Sequence, residues 1–195
     1  MIALIDYGGG NVRSVTNALD RLGAVYIVTS DPVLVARASK VIFPGQGAAG
    51  QVMEALRVRG LVEVLRNLTV PFLGICIGMQ LLFEFSEEDE TEGFGVVPGR
   101  LRRFSSETLK IPQMGWNRVK FIGDSPLFLG IPDESFFYFV HSYVAPLMGD
   151  LTQAVSLYGQ PFTSVLQRDH FFGVQFHPEK SSEVGLQLFR NFLEL

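Results

Sequence analysis

Apolar residues in the first half of the chain fall into short β-branched runs separated by stretches of helical spacing. "IALID" (2–6), "AVYIVTS" (24–30), "KVIFPG" (40–45) and "TVPFLGI" (69–75) read as strands. "NVRSVTNALDRLG" (11–23), "DPVLVARAS" (31–39) and "GQVMEALRVRGLVEVLRNL" (50–68) carry apolar positions three and four apart and read as helices. Gly23 closes the first of these, Asp31-Pro32 opens the second, and Gly60 interrupts the third. "IGMQLLFEF" (77–85) reads as a further helix. Continuous apolar strands alternating with helices predict an α/β fold, a mostly parallel sheet covered on both faces.

The pattern changes after "SEEDETEGFG" (86–95), an acidic stretch that predicts a solvated loop. "VVPGRLRRF", "LKIPQMGWNRVKF", "SFFYFVHSYVA", "QAVSLYG", "FTSVLQ" and "HFFGVQF" follow, short strand-like runs at the spacing of antiparallel hairpins. "SEVGLQLFRNFLEL" (182–195) reads as a closing helix. With no internal repeat, low-complexity tract or linker, residues 1–195 read as one domain.

Composition narrows the partners. The chain has 195 residues, 47% of them hydrophobic, enough for a sizeable core. A net charge of −4 argues against a nucleic-acid groove or an anionic membrane surface. The single cysteine can form no internal disulfide, which suits a reducing compartment and predicts a cytoplasmic protein. "MIALIDYGGG" has no basic region ahead of its apolar stretch, so no signal peptide is expected, and no run is long enough to span a bilayer.

That cysteine, Cys76, sits between Gly74 and Gly78 where a strand is predicted to turn into a helix. A strand–helix turn of this kind exposes its central residue and brings the neighbours two positions away close together, so both must be small. This is the logic of the nucleophile elbow, with cysteine in place of serine. A following helix would aim its first N–H groups at the sulfur and favour thiolate. The Ile77 N–H would face the same space as an oxyanion donor. The competing reading of Cys76 is a buried, inert thiol.

A partner base decides between them. Of the three histidines, His177 stands in "FFGVQFHPEKSS", delivered by a strand and kept extended by Pro178. Glu179, two positions on, can project to the same side and hold the imidazole. The three histidines make no zinc pattern, so neither a metal nor an organic cofactor is expected. The start "IALIDYGGGN" has Gly8 and Gly10 but Arg13 where a dinucleotide fingerprint needs its last glycine. A tight strand-to-helix turn accounts for it.

"GICIGMQLLF" together with "FHPEKS" resembles the class I, triad-type glutamine amidotransferases. "IDYGGGNVRSV", "IPQMGWN" (111–117) and "YFVHSY" (138–143) bring the resemblance closer to the glutaminase subunits of imidazole glycerol phosphate synthases of the histidine pathway. It covers the whole chain and implies a flavodoxin-like fold. It implies Cys76 as nucleophile, His177 as general base and then acid, and Glu179 as its orienter. "FPGQGAAG" (43–50) resembles the family's oxyanion strand, giving Gly45, Gln46 and Gly47 a role beside Ile77 through backbone N–H groups. Gln46 stands where the family usually has a small aliphatic residue, most often valine. Gly47, Gln80, Glu88, Ser142 and Tyr143 are the implied substrate contacts, Glu88 for the ammonium and the "HSY" segment for the carboxylate of free glutamine. The competing reading of Glu88 is an ordinary solvated charge; His141 reads as structural. The implied partner is a (β/α)8-barrel cyclase that uses the ammonia, docked over Gly10, Asn11, Trp116, Asn117 and Lys180. Two other readings stand beside this one: a glutaminase subunit serving another synthase, and a non-catalytic flavodoxin-like nucleotide-binding module.

Overall fold

A computed structural model describes residues 1–195. The first half is built as β1 (Ile2–Ile5), α1 (Val12–Arg21), β2 (Tyr26–Thr29), α2 (Pro32–Ala36), β3 (Lys40–Phe43), α3 (Ala49–Val58), α4 (Val62–Arg66), β4 (Phe72–Ile75) and α5 (Ile77–Gln80). The second half adds β5 (Phe83–Ser86), β6 (Thr91–Glu92), β7 (Val97–Arg103), β8 (Gln113–Phe121), β9 (Ser135–His141) and β10 (Tyr143–Val144). It ends with β11 (Thr152–Tyr158), β12 (Gln160–Arg168), β13 (Phe171–Val174) and α6 (Ser182–Glu194).

Nine strands form one sheet in the order β2-β1-β3-β4-β13-β12-β11-β8-β9. β2 through β13 pair in parallel, and β12, β11, β8 and β9 continue the sheet antiparallel. A smaller sheet, β10-β7-β5-β6, lies beside it. Side chains along the central strands alternate between two cores. Leu4, Ile42, Leu73 and Ile75 pack with Val15 and Leu19 of α1 and with Leu188, Phe189 and Phe192 of α6. Ala3, Ile5, Val41, Phe43 and Phe72 pack on the other face with Val52, Met53 and Leu56 of α3 and Leu65 of α4. A parallel strand buried on both faces can carry apolar residues at every position, which is why these strands read as unbroken runs. No helix is long and apolar enough to cross a membrane.

Two elements depart from the sequence expectation. The helix expected over 77–85 is a single turn ending at Gln80, and residues 83–86 are a strand. Burial over Phe83–Ser86 follows neither period cleanly, so the strand is set by its pairing. β5 is held by β6 on one side and β7 on the other. The acidic stretch 86–95 is not a simple solvated loop either. Thr91 and Phe94 are buried, and Gly93 is so close to the Phe83 carbonyl that a Cβ would lie 2.2 Å from it.

β4 and β13 are adjacent and parallel, with Ile75 paired to Val174. The chain therefore leaves both strands at the same edge of the sheet, and the segments around Cys76 and His177, far apart in sequence, emerge side by side. β1 and β3 end at this edge too, and their loops carry Tyr7–Asn11 and Pro44–Gly47. Crevices outside the carboxyl ends of parallel strands are where open α/β sheets bind ligands.

Candidate active site

Cys76 is the hinge between β4 and α5, and its backbone sits at φ 47° and ψ −101°, a region costly for a side-chain-bearing residue. Its neighbours explain how the chain tolerates this. A Cβ on Gly74 would lie 2.4 Å from the Gly78 carbonyl oxygen, and one on Gly78 would lie 2.8 Å from both the ring and the carbonyl of Phe43. Two bare backbones thus meet beneath the thiol, and the turn is held by the Cys76 N–H donating to the Val174 carbonyl at 2.7 Å.

His177 is also fixed through its backbone. Its N–H donates to the Tyr138 carbonyl at 2.8 Å, and its carbonyl accepts from the Ser181 hydroxyl at 2.6 Å. The same hydroxyl accepts from the Tyr138 N–H at 3.0 Å, tying β9 to the turn. Nδ1 of His177 lies 2.8 Å from Oε1 of Glu179, with both side chains essentially inaccessible to water. Oε1 of Glu179 also lies 3.5 Å from the Asn11 side-chain amide, which donates to it. The other Glu179 oxygen and the His177 Nε2 are buried without a protein hydrogen-bond partner. Burial alone would push the imidazole down; the negative charge of Cys76 and the bond and charge of Glu179 outweigh it and lift His177 to about 10.

Cys76, Ile77, His177, Gly45, Gln46 and Gly47 line one cavity of about 290 Å3, at the small end of ligand sites. Gln80, Glu88, Ser142, Tyr143, Asn11 and Lys180 also line it, and Pro112, Val140 and His141 complete its wall. Gly45 brings the loop against the nucleophile, since a Cβ there would lie 2.4 Å from the Ile75 carbonyl oxygen and 2.8 Å from the Cys76 Cβ. Gly47 has φ +127°, which only glycine adopts readily. The Gln46 N–H is engaged: it donates to the Tyr7 hydroxyl at 3.2 Å, and that hydroxyl lies 2.5 Å from the Gln46 carbonyl. Burial pushes the Tyr7 phenol up to about 12, so it remains a neutral donor.

Gln80 is buried, and both N–H groups of its amide are committed, one to the Tyr143 carbonyl at 3.1 Å and one to the Gln175 Oε1 at 3.2 Å. Toward a ligand it can therefore offer only its oxygen. Glu88 is half-buried and accepts from the Ala49 N–H, the first of α3, at 2.9 Å. Desolvation raises its carboxyl above the ordinary value, and Asp89 adds to this against the Ala49 bond. This is not an ordinary solvated charge. His141 is buried between the Tyr143 carbonyl, 2.9 Å from Nδ1, and the Gln113 side chain, 3.1 Å from Nε2. Burial pushes it down to about 4, so it is neutral at pH 7 and supports the wall rather than exchanging protons.

The five residues expected at a docking surface are divided. Asn11 and Lys180 line the cavity, with the Lys180 ammonium 5.7 Å from the Tyr138 ring. Trp116 is exposed on β8 and packs edge-on against Tyr138. Asn117 projects to the opposite face of the strand, where its amide donates to the Leu157 carbonyl at 3.0 Å. Gly10 lies under the Tyr7 hydroxyl. The helix expected to aim its dipole at the sulfur is one turn long, too short for that effect.

Three residues of the site escape the sequence reading: Tyr7, Gln175 and Ser181. Gln175 had a signal. In "VQFHPE" strand alternation places it on the same side as His177, with Phe176 turned into the core. Tyr7 and Ser181 act through backbone groups that no spacing rule reveals.

A family model described as glutamine amidotransferase class-I matches residues 3–195. A protein of Aromatoleum aromaticum named imidazole glycerol phosphate synthase subunit HisH is 49% identical, covering 98% of this chain and 97% of the relative. Its namesake from Yersinia pseudotuberculosis is 44% identical over 100% of this chain and 99% of its own length. Among solved structures, one titled glutamine amidotransferase superposes with a TM-score of 0.77 at 18% identity, covering 100% and 98% of the two chains. The structure of PurLQS from Thermotoga maritima gives 0.66 at 18% identity, covering 99% and 97%. At such identities the likeness concerns the fold, which all of them share.

Proposed function

The chain belongs to the class I glutamine amidotransferases, and from that premise we propose that it releases ammonia from glutamine as the amidotransferase subunit of an imidazole glycerol phosphate synthase, in histidine biosynthesis. One observation carries the catalytic reading: His177, held 2.8 Å from the buried Glu179 carboxylate behind it, lines the same cavity as a strained elbow cysteine. The pathway reading rests on full-length relatives that bear the synthase name.

The chemistry follows from the groups present. His177 holds the proton that Cys76 gives up, and the thiolate attacks the side-chain carboxamide carbon of glutamine. The oxygen of the tetrahedral intermediate takes up negative charge and meets the Ile77 N–H and a donor from the Gly45–Gly47 loop. His177 then protonates the departing nitrogen, the carbon–nitrogen bond breaks, and a γ-glutamyl thioester remains. Water enters, loses its proton to His177 and attacks the thioester. The carbon–sulfur bond breaks, glutamate leaves, and the thiol is restored. Glu179 keeps Nδ1 protonated and stabilises the imidazolium throughout. Glu88 takes the substrate ammonium, whose charge offsets the desolvation of the carboxylate. Ser142 and Tyr143 meet the α-carboxylate, and Gln80 accepts through its oxygen.

Ammonia that escapes to water is protonated and ceases to be a nucleophile, so a second subunit must cover the cavity and receive it. The resemblance supplies a (β/α)8-barrel cyclase for that role, with a phosphoribulosyl aminoimidazole-carboxamide nucleotide as acceptor. The test is glutamate release from glutamine by the wild-type pair and by its Cys76→Ala form. Alanine fits between Gly74 and Gly78, so fold and association are expected to persist while glutamate release falls to background. Near-wild-type release by the variant would remove Cys76 from the mechanism.

A further inference from the structure

A buried chain of amides ends on the nucleophile. Gln175 follows β13 directly, is wholly buried, and is anchored by its backbone N–H donating to the Ser164 carbonyl at 2.9 Å. Its side-chain nitrogen lies 3.6 Å from the Cys76 sulfur. The orientation of that amide is not free. The Tyr143 carbonyl can only accept, so the Gln80 group 3.1 Å from it must be the NH2. The other N–H of that nitrogen reaches Gln175 at 3.2 Å, so Gln175 must turn its oxygen there. What remains for the sulfur is the Gln175 NH2. A backbone carbonyl thus fixes the polarity of the whole chain, and the polarity delivers a donor to Cys76.

Besides His177, the sulfur also meets the Val140 carbonyl at 3.7 Å, which can serve a neutral thiol but not a thiolate. Once the proton has gone to His177, the imidazolium faces the sulfur on one side and Gln175 supplies a second side-chain donor, one that stays on the sulfur when His177 turns its proton to the departing nitrogen. We infer that Gln175 is a further catalytic residue: its amide N–H holds the Cys76 thiolate in position for attack and again as the leaving group when the thioester is hydrolysed. Gln175 also connects the nucleophile to Gln80, so sulfur and substrate wall are set by one side chain.

This inference deepens the glutaminase reading, and its test is separable from it. The rate of Cys76 alkylation by iodoacetamide at pH 7 is measured for the full-length chain, together with kcat and KM for glutamine in the pair with its synthase partner. Gln175→Met removes the donor at similar length. Gln175→Glu keeps the acceptor for Gln80 and sets a carboxylate where the donor was. A hydrogen bond to a charged group has the strength to change both rates by about tenfold to a hundredfold. Both variants are expected to alkylate more slowly by that factor, Gln175→Glu the more so, with kcat falling in both and KM little changed in Gln175→Glu, which keeps the Gln80 contact. Wild-type alkylation by either folded variant overturns the assignment. A measurement without substitution guards against misfolding: in the isotopically labelled wild-type chain, the Gln175 side-chain amide protons are expected to shift when Cys76 is alkylated, and unmoved resonances overturn it equally. Slowed alkylation in a chain that never hydrolyses glutamine would keep Gln175 and discard the glutaminase.

Discussion

His177 and His141 line the same cavity and are driven in opposite directions. In His177 the charges of Cys76 and Glu179 overcome burial, and the imidazole is raised to about 10; in His141 burial prevails and it is lowered to about 4. The consequences for stability have opposite signs. The favourable part from His177 is fully present below about 6.5, its unfolded value, and is lost as pH rises through 10. That from His141 is present above about 6.5 and is lost as pH falls toward 4, by an amount on the order of 3 kcal/mol. Urea unfolding at pH 7 and pH 4.5 is expected to show a smaller drop for His141→Gln than for wild type, and equal drops would mean that His141 is not buried neutral. Roles in catalysis divide similarly. His177 moves protons and Glu179 orients it, so His177→Ala should lose most of the glutamate-forming rate and Glu179→Gln less. Steady-state rates in the reverse order would exchange the two assignments.

At the scale of elements, the strand-to-helix turn at 74–78 was legible because its requirement falls on residue type. Two glycines flank the thiol since two backbones must touch beneath it. Gly74→Ala would set a methyl group 2.4 Å from the Gly78 carbonyl oxygen, against backbone that cannot yield. Overpacking and lost turn geometry are expected to cost about 3 kcal/mol or more, and thermal unfolding would show it; a Tm within a few degrees of wild type would mean that the turn is not pinched. The parallel strands were equally legible, since burial on both faces leaves them continuously apolar. Residues 81–86 were not. "LLFEF" satisfies both periods over so short a run, and the choice is made by β6 and β7 pairing on either side of β5. Glu88 lay inside a run of acids and looked solvated; only the fold brings it beneath the first N–H of α3. Of the site itself, residues that act through side chains at motif positions could be read. Ser181 and Tyr7, which act by holding backbone groups, could not.

At the scale of the whole molecule the question is what keeps a glutaminase idle until its ammonia has somewhere to go. Gln46 belongs to the loop assigned to the oxyanion, and the Tyr7 hydroxyl holds the two peptide units on either side of its Cα, accepting from its N–H and donating to its carbonyl. Gly10 is packed against that same hydroxyl, so the loop expected to meet the partner rests on the residue that holds the oxyanion loop. Docking that displaces residues 8–11 would loosen the phenol and free these peptide units to rotate. One oxyanion donor is worth roughly 10²–10³ in rate, which sets the expected stimulation of glutamate release when partner and acceptor nucleotide are added together. Tyr7→Phe separates the hydroxyl from the ring: the stacking on Phe43, with centroids 5.2 Å apart, survives while the hydroxyl's contacts to Gln46 and to the Pro44 carbonyl go. The isolated variant is expected to hydrolyse glutamine faster than the isolated wild type, and its stimulation by the partner should shrink by the same factor, because less remains to be released. Lys180→Ala, by contrast, should weaken association and leave the fully assembled rate nearer to wild type. An isolated wild-type chain already running at full speed, unchanged by partner or acceptor, would dispose of the gate and leave a simple hydrolase; a gated wild type with an unaltered Tyr7→Phe would keep the gate and place it elsewhere.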